Sequence, residues 1–193
     1  YEPEFELIDA LHSAFNENRY FDVLIEYAKA DEDDILCRIS VINRGPDAAP
    51  IHVLPHAWFR NTWSWGYDRP KPEFEAINKD TVYTNHRHLG ERWWYVDIER
   101  DQEVPLLFTE NNTNYQRLFG VENDSPYVKD SINDAVIHGA MERINPEGKG
   151  SKVAAHFKGM LQPEETLTVK VRFTNQENKE PFGAFDAIFA QRV

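Results

Sequence analysis

The feature that most constrains this chain is a period of two in its hydropathy. Within 166–174, Leu167, Val169, Val171 and Phe173 alternate with Thr168, Lys170 and Arg172. Only an extended strand sends successive side chains to opposite faces, and a polar set on one of them implies a sheet with one solvated side. The pattern recurs. Ile35, Cys37, Ile39 and Val41 alternate with Leu36, Arg38, Ser40 and Ile42, while Phe21, Val23, Ile25 and Tyr27 share a parity against Asp22 and Glu26. The polar run Ala30-Asp31-Glu32-Asp33-Asp34 between these two segments predicts an antiparallel hairpin, and Asn43-Arg44-Gly45-Pro46 ends its second strand with turn chemistry.

Further strands are expected over 51–59 and 104–109, and a second hairpin over 81–88 and 91–98 around Leu89-Gly90. Residues 152–160 are expected to pair with the final strand through Gln162-Pro163-Glu164-Glu165. Only the last dozen residues carry a helical period, with Phe182, Phe185 and Phe189 on one face and Ile188 beside them. Many strands joined by short turns predict an all-β fold, an antiparallel supersandwich with long loops and the start of a C-terminal helix. Residues 60–79 and 111–147 show no clear period. Loops of that length usually carry function or hold a partner surface.

Charge narrows the partners. Thirty-three acidic residues against 21 basic ones leave a formal net charge of −12. Nucleic acid and an anionic membrane surface are both repelled by such a chain. No apolar run approaches the roughly 18 residues a membrane helix needs. The lone cysteine, Cys37, precludes an intrachain disulfide and reads as a small buried hydrophobe in its alternating segment. A cytoplasmic location follows as the expectation, with a signal peptide upstream of Tyr1 as the alternative. The chain opens on Tyr1 rather than Met, and its helical pattern runs to Val193 without a stop signal. These ends lead us to expect a piece of a longer protein. Asn111-Asn112-Thr113 and Asn123-Asp124-Ser125 match the N-glycosylation pattern, which has meaning only in a eukaryotic secretory setting.

Chemistry concentrates in three loops. The first, Arg60-Asn61-Thr62-Trp63-Ser64-Trp65-Gly66-Tyr67, mixes aromatic faces with an arginine and an asparagine. Aromatic rings stack on sugar C–H surfaces while the polar groups bond hydroxyls; the same rings would equally plug a sheet edge or dock a missing domain. The second, Glu110-Asn111-Asn112-Thr113-Asn114-Tyr115-Gln116-Arg117, is dense in Asn, which suits self-bonded turns and also sugar hydroxyls. The third contains Tyr127, Lys129, Asp130, Asn133 and Asp134. Asp130 and Asp134 lack the spacing of an EF-hand, and ion pairing of an aspartate with Lys129 is the simpler expectation.

Signatures of catalysis are weak. His86 with His88, and His52 with His56, share strand parity, yet there is no HExxH pattern and no set of cysteines for a structural zinc site, so neither metal nor cofactor is expected. No GxSxG nucleophile elbow occurs. Paired carboxylates for glycoside hydrolysis need a defined separation, and with 33 acids the sequence alone nominates none.

A resemblance gives these segments a common reading. Arg19-Tyr20-Phe21-Asp22-Val23, Asn43-Arg44-Gly45-Pro46, Leu54-Pro55, Trp58-Phe59-Arg60-Asn61-Thr62-Trp63-Ser64-Trp65-Gly66, Leu107-Phe108-Thr109-Glu110-Asn111, Gln116-Arg117-Leu118-Phe119-Gly120, Tyr127-Val128-Lys129-Asp130-Ser131-Ile132-Asn133-Asp134 and Phe185-Asp186-Ala187-Ile188-Phe189 run in this order. The chain so patterned resembles the N-terminal region of large bacterial proteins similar to glycoside hydrolase family 63, the family of processing α-glucosidase and mannosylglycerate hydrolase. The segments 60–66 and 127–134 carry the resemblance most specifically. It implies a supersandwich accessory domain over 1–181 and, over 182–193, the start of a linker helix toward an (α/α)₆ barrel absent from this chain. It further implies that the two catalytic carboxylates of inverting hydrolysis belong to that barrel, that no catalytic residue lies here, and that an oligosaccharide or glucoside is the parent's substrate. The stretch 68–78 departs from the pattern. The contact residues expected to face the barrel or the sugar are Arg60, Asn61, Trp63, Trp65, Asn111, Asn112, Tyr127, Lys129, Asp130, Asn133 and Asp134.

Two alternatives stand beside this. A free carbohydrate-binding module would use Trp58, Trp63, Trp65, Trp93 and Trp94, although Trp93 and Trp94 are adjacent on a strand and must face opposite ways. A mutarotase-like sugar epimerase would need a histidine acid and a carboxylate base in one cleft, for which His86 or His88 with Glu110 is the pairing to nominate.

Overall fold

The computed structural model describes residues 4, 6–67, 70–99 and 102–192. Tyr1, the 68–69 portion of the departing stretch and Val193 lie outside the described residues. Along the chain come α1 (Leu7–Asn16), β1 (Phe21–Asp31), β2 (Asp34–Asn43), β3 (Ala49–Val53), β4 (His56–Trp58), β5 (Phe74–Ala76), β6 (Thr81–His86), β7 (Gly90–Val96) and β8 (Leu106–Thr109). There follow α2 (Tyr115–Phe119), α3 (Ser131–His138), β9 (Lys149–Gly150), β10 (Lys152–Ala155), β11 (Phe157–Leu161), β12 (Thr166–Thr174) and α4 (Phe185–Arg192).

The alternating segments form the strands their period dictates. β1 and β2 pair antiparallel from Phe21↔Asn43 through the acidic turn, and β12 lies antiparallel on the other side of β2, from Thr166↔Ile42 to Thr174↔Asp34. The hairpin expected around Leu89-Gly90 is β6–β7. These strands belong to one seven-stranded sheet of order β1-β2-β12-β7-β6-β5-β9. The opposing layer is a broken ribbon: β4-β10-β8 at one end and β11-β3 at the other. β3 passes into β4 across Leu54-Pro55, and β10 into β11 across His156, with the Ala155 N–H donating to the Pro55 carbonyl at 3.1 Å. Between the layers, Val41, Val82, Trp94 and Val169 from the large sheet meet Phe108, Val153, Ala155 and Phe157 from the ribbon, all nearly inaccessible to water. This is an antiparallel β-sandwich whose strands alternate into a shared core.

Strand β2 is apolar on both faces because both are covered. Cys37, Ile39 and Val41 face the core. Leu36 faces outward and packs with Ala28, Phe185 and Phe189 beneath α4, while the Arg38 guanidinium lies 4.5 Å over the Phe189 ring. The C-terminal helix expected from Phe182 begins at Phe185; Phe182 lies in the turn before it, and Phe185 and Phe189 fold back on the sheet. A buried pair braces that side: Arg172 donates through two nitrogens to the Asp34 carboxylate.

Two expectations are corrected. Residues 152–160 do not pair with the final strand; β11 pairs with β3, Phe157↔Val53 to Leu161↔Ala49, and both edges of β12 are already taken by β2 and β7. Nor is the C-terminus the sole helical segment. α1, α2 and α3 precede it, the last two inside the stretch read as aperiodic. These helices span ten, five and eight residues, so each shows at most two or three turns of the 3.6 period. Among the described residues no helix is long and apolar enough to cross a membrane.

Candidate functional site

The three loops singled out from sequence meet at one end of the short ladder β4-β10-β8. β4 delivers the first of them. Phe59 is buried in the core and its N–H donates to the Ser151 carbonyl at 3.0 Å, anchoring the point from which the chain turns outward. Residues Trp63–Trp65 make a single 3₁₀ turn ended by Gly66 at φ 81°, a left-handed conformation that glycine adopts without cost. The Asn61 Oδ1 accepts from the Ser64 N–H at 3.2 Å.

The second loop receives the first. Asn112 Oδ1 accepts from Trp63 Nε1 at 3.0 Å and from Asn61 Nδ2 at 3.2 Å. Asn61 Nδ2 also reaches the Asn111 carbonyl, and Asn111 Nδ2 donates to the Phe59 carbonyl at 2.9 Å. Ser151 locks the base of this loop: its Oγ accepts from the Asn111 N–H at 2.8 Å and donates to Glu110 Oε2 at 2.6 Å. Gly150, beside it, is obligatory, since a Cβ there would sit 2.3 Å from the Thr109 carbonyl oxygen. The third loop joins through its backbone. The Glu110 N–H donates to the Tyr127 carbonyl at 2.7 Å, the Lys129 N–H to the Asn112 carbonyl at 3.0 Å, and Lys152 Nζ to the Lys129 carbonyl at 3.1 Å. Burial, and then the neighbouring Lys129, hold the Lys152 ammonium below the ordinary lysine range.

α3 carries Asp130 and Asp134 into a charged brace. Its buried residues Ile132 and Ala135 pack on Leu107, Ala154 and Ile144, which fixes the helix against β8 and β10. Arg117 Nη1 lies 3.0 Å from Asp130 and 3.5 Å from Asp134; Arg143 Nη1 lies 2.7 Å from Asp134. The partners of the aspartates are therefore Arg117 and Arg143, in place of the expected Lys129. Each arginine reaches these carboxylates through its Nη1 alone. A cation bound by these aspartates would first have to displace two arginines. Among the described residues no group of three or more metal-ligating side chains is gathered anywhere.

Of the expected contact residues, Asn61, Trp63, Asn111, Asn112, Tyr127 and Lys129 are joined by the bonds above. Arg60 and Trp65 stand at the outer rim: the Arg60 guanidinium is 5.6 Å over the Trp65 ring, Trp65 is 60% exposed, and Tyr67 meets its edge at 6.4 Å. Asp130 and Asp134 belong to the brace beneath. Asn133 is exposed on α3, apart from the bonded cluster. The sequence reading did not single out Ser151, Asn114 or Arg143. Asn114 is buried and caps α2 by accepting from the Arg117 N–H at 3.0 Å; an Asn three residues before that arginine was the available signal.

The nominated acid–base histidines serve the turn they occupy. His86 Nδ1 accepts from the N–H groups of His88 and Leu89, and its ring stacks on Phe59 at 5.1 Å. Glu110 is bound by Ser151 and by Lys71 Nζ at 2.5 Å. His52 and His56 do not share one strand, because Leu54-Pro55 interrupts it. His52 Nδ1 lies 2.7 Å from Nε2 of the buried His156, whereas His56 bonds the Leu54 carbonyl. Trp94 lies in the core and Trp93 beside Tyr83 on the opposite face, as adjacent strand residues must.

No protein-family model matches the chain. It is similar to the uncharacterized protein YMR196W of Saccharomyces cerevisiae (strain ATCC 204508 / S288c), with 33% identity over 230 aligned residues that cover 98% of this chain and 21% of the yeast protein. The chain spans about a fifth of the length of that relative.

Proposed function

We propose that this chain is a non-catalytic N-terminal domain of a glucosidase-like, inverting glycoside hydrolase, and that its three-loop end supports an (α/α)₆ barrel of the same polypeptide and walls the barrel's sugar pocket. The observation that carries this reading is the loop cluster itself. Its polar side chains are spent on one another, which makes the end rigid, while Arg60, Trp65 and Tyr67 remain outward as an amphipathic rim. A rigid base with exposed aromatics and an arginine is the composition of an interface centre. The acids nearest the rim favour a supporting role, because Glu110, Asp130 and Asp134 are engaged by Ser151, Lys71, Arg117 and Arg143. The much greater length of the yeast relative agrees with a domain that works inside a larger protein. A cytoplasmic location fits the buried, unpaired Cys37.

The test uses the longest polypeptide that carries this domain. Replacing Arg60 and Trp65 by alanine is expected to lower kcat/KM for an α-glucoside by about tenfold, a loss of one interface anchor's worth of order, while the 193-residue chain alone hydrolyses nothing. Unchanged kinetics in the long protein, or turnover by the chain alone, would refute the proposal. The exposed Trp65–Tyr67–Arg60 rim also favours a second reading, a free-standing carbohydrate-binding module. Titrating the chain alone with maltotriose separates the two: micromolar binding abolished by Trp65→Ala identifies the module.

A further inference from the structure

The loop site leaves the opposite edge of the large sheet unused. β1 begins the strand order, so among the described residues no strand pairs with its outer side; near its far end the Lys29 carbonyl accepts from Arg192 Nε of α4 at 2.9 Å. That strand is eleven residues long and exposes four large apolar side chains. Val23, Leu24, Ile25 and Tyr27 are 56, 56, 52 and 71% exposed. Natural sheets guard such edges with proline, with charges, with bulges or by keeping the strand short. β1 has no proline; its carboxylates Asp22 and Glu26 are ion-paired within the sheet to Arg44 at 2.7 Å and Arg38 at 2.8 Å, and its lysine and its bulge both fall at the far end, at Lys29 and Asp31. Behind the strand an apolar groove of ≈ 530 Å³ opens between the inner sheet face and β4, with Ile25, Tyr27, Ile35, Trp58 and Leu89 along it. An apolar surface of this extent marks an interaction site, and a strand with no neighbouring strand on one side can take another.

We infer that the occupant of this edge is β1 of a second copy of the chain, paired antiparallel about a two-fold axis at Ile25. The choice rests on self-complementarity. With the axis at Ile25, Val23 of one copy faces Tyr27 of the other, Leu24 faces Glu26, Asp22 faces Ala28 and Phe21 faces Lys29. No like charges are opposed, and the aromatic–β-branched pairs fall on the inner face, where cross-strand packing is favourable. Moving the axis by one residue spoils this. At Leu24 it sets Asp22 against Glu26, and at Glu26 it sets that carboxylate against its own copy. The Ile25 register also runs the exposed inner-face stripe of one copy into that of the other. A closed two-fold pairing buries the same patch on both partners and ends the sheet's growth at a dimer. This inference is independent of the loop site and of the glycosidase reading.

Sedimentation equilibrium of the intact chain tests it. At about 50 μM the wild type is expected at twice the chain mass. Ile25→Lys places two like charges at the axis and is expected to weaken association by about 100-fold or more. Ile25 is half exposed, so the variant keeps its fold, and an unchanged circular dichroism spectrum verifies that. A second variant reads the register: in a Cys37→Ser background, Ile25→Cys should form an interchain disulfide on mild oxidation, since directly opposed antiparallel residues have Cα atoms about 4.5–5.5 Å apart, within disulfide reach. A wild-type chain of single mass throughout, a dimer that survives Ile25→Lys, or a dimer that resists cross-linking at position 25 would each overturn the inference.

Discussion

Asn112 gathers the loop end through one oxygen, which takes hydrogen bonds from Trp63 and Asn61 at once. Removing it leaves the half-buried Trp63 Nε1 without its partner and takes one of the two acceptors of Asn61 Nδ2, which keeps the Asn111 carbonyl; a buried donor so stranded costs about 1–3 kcal/mol. Asn112→Ala should therefore lower the unfolding free energy by about 2 kcal/mol, and Asn112→Asp, which keeps the acceptor, by less; urea denaturation of the three proteins checks this. Histidines set the acid limit. Burial, then His52 and Lys158, hold the His156 pKa below its ordinary value near 6.5, and burial, then Lys152, do the same for His56 against the opposing Leu54 carbonyl. Both are depressed in the folded state, so the unfolded chain takes up these protons first. Stability is whole above about pH 6.5 and falls as pH drops toward the folded-state values. The melting temperature should decline from pH 7.5 to pH 5.5, and His156→Gln should flatten that decline. At this scale the sequence showed the crowding of Asn61, Trp63, Asn111 and Asn112 but hid their keystone. Ser151 lies 40 residues from Asn111, and only the pairing of β10 with β8 and β4 brings it there.

Elements differ in how much of them is local. β1, β2 and β12 each write their period of two into the chain, and the two hairpins follow from the turn residues between neighbours. β11 fails that rule. It is followed by a good turn and a good strand, yet it pairs with β3, more than a hundred residues earlier in the chain, because β12 has no free edge to give it. The helices show the same division. α4 was legible because Phe185 and Phe189 fill a buried face over Leu36 and Ala28. Phe185 is inaccessible, so Phe185→Ala should cost about 3–5 kcal/mol, measurable as a shift of the urea midpoint without a change in slope. α1 has its own apolar set, but Leu7 and Ile8 are 71 and 62% exposed and Phe15 is half out. An element that buries so little stabilises little. Deleting residues 1–16 should lower stability by less than about 1 kcal/mol, and a larger fall would mean that α1 packs in a way its exposure does not show.

The whole molecule reads as a sandwich with two unequal ends. One carries a bonded platform of three loops with an aromatic and arginine rim; the other ends in a strand, β1, that exposes Val23, Leu24, Ile25 and Tyr27. A net charge of −12 opposes long-range attraction to polyanions. The fold class was legible because alternation survives in nearly every long strand. The resemblance singled out residues 60–66 and 127–134, but the bonds that tie them to 110–114 were not legible, since those contacts depend on how distant strands are ordered. The central claim is that this loop end is a docking platform for the rest of a longer protein. Hydrogen–deuterium exchange tests it most directly, comparing the 193-residue chain with the longest polypeptide that carries it. The account predicts slower exchange over residues 60–67 and 127–130 in the long protein and no change over β12. Equal exchange of those loops in the two proteins would contradict it.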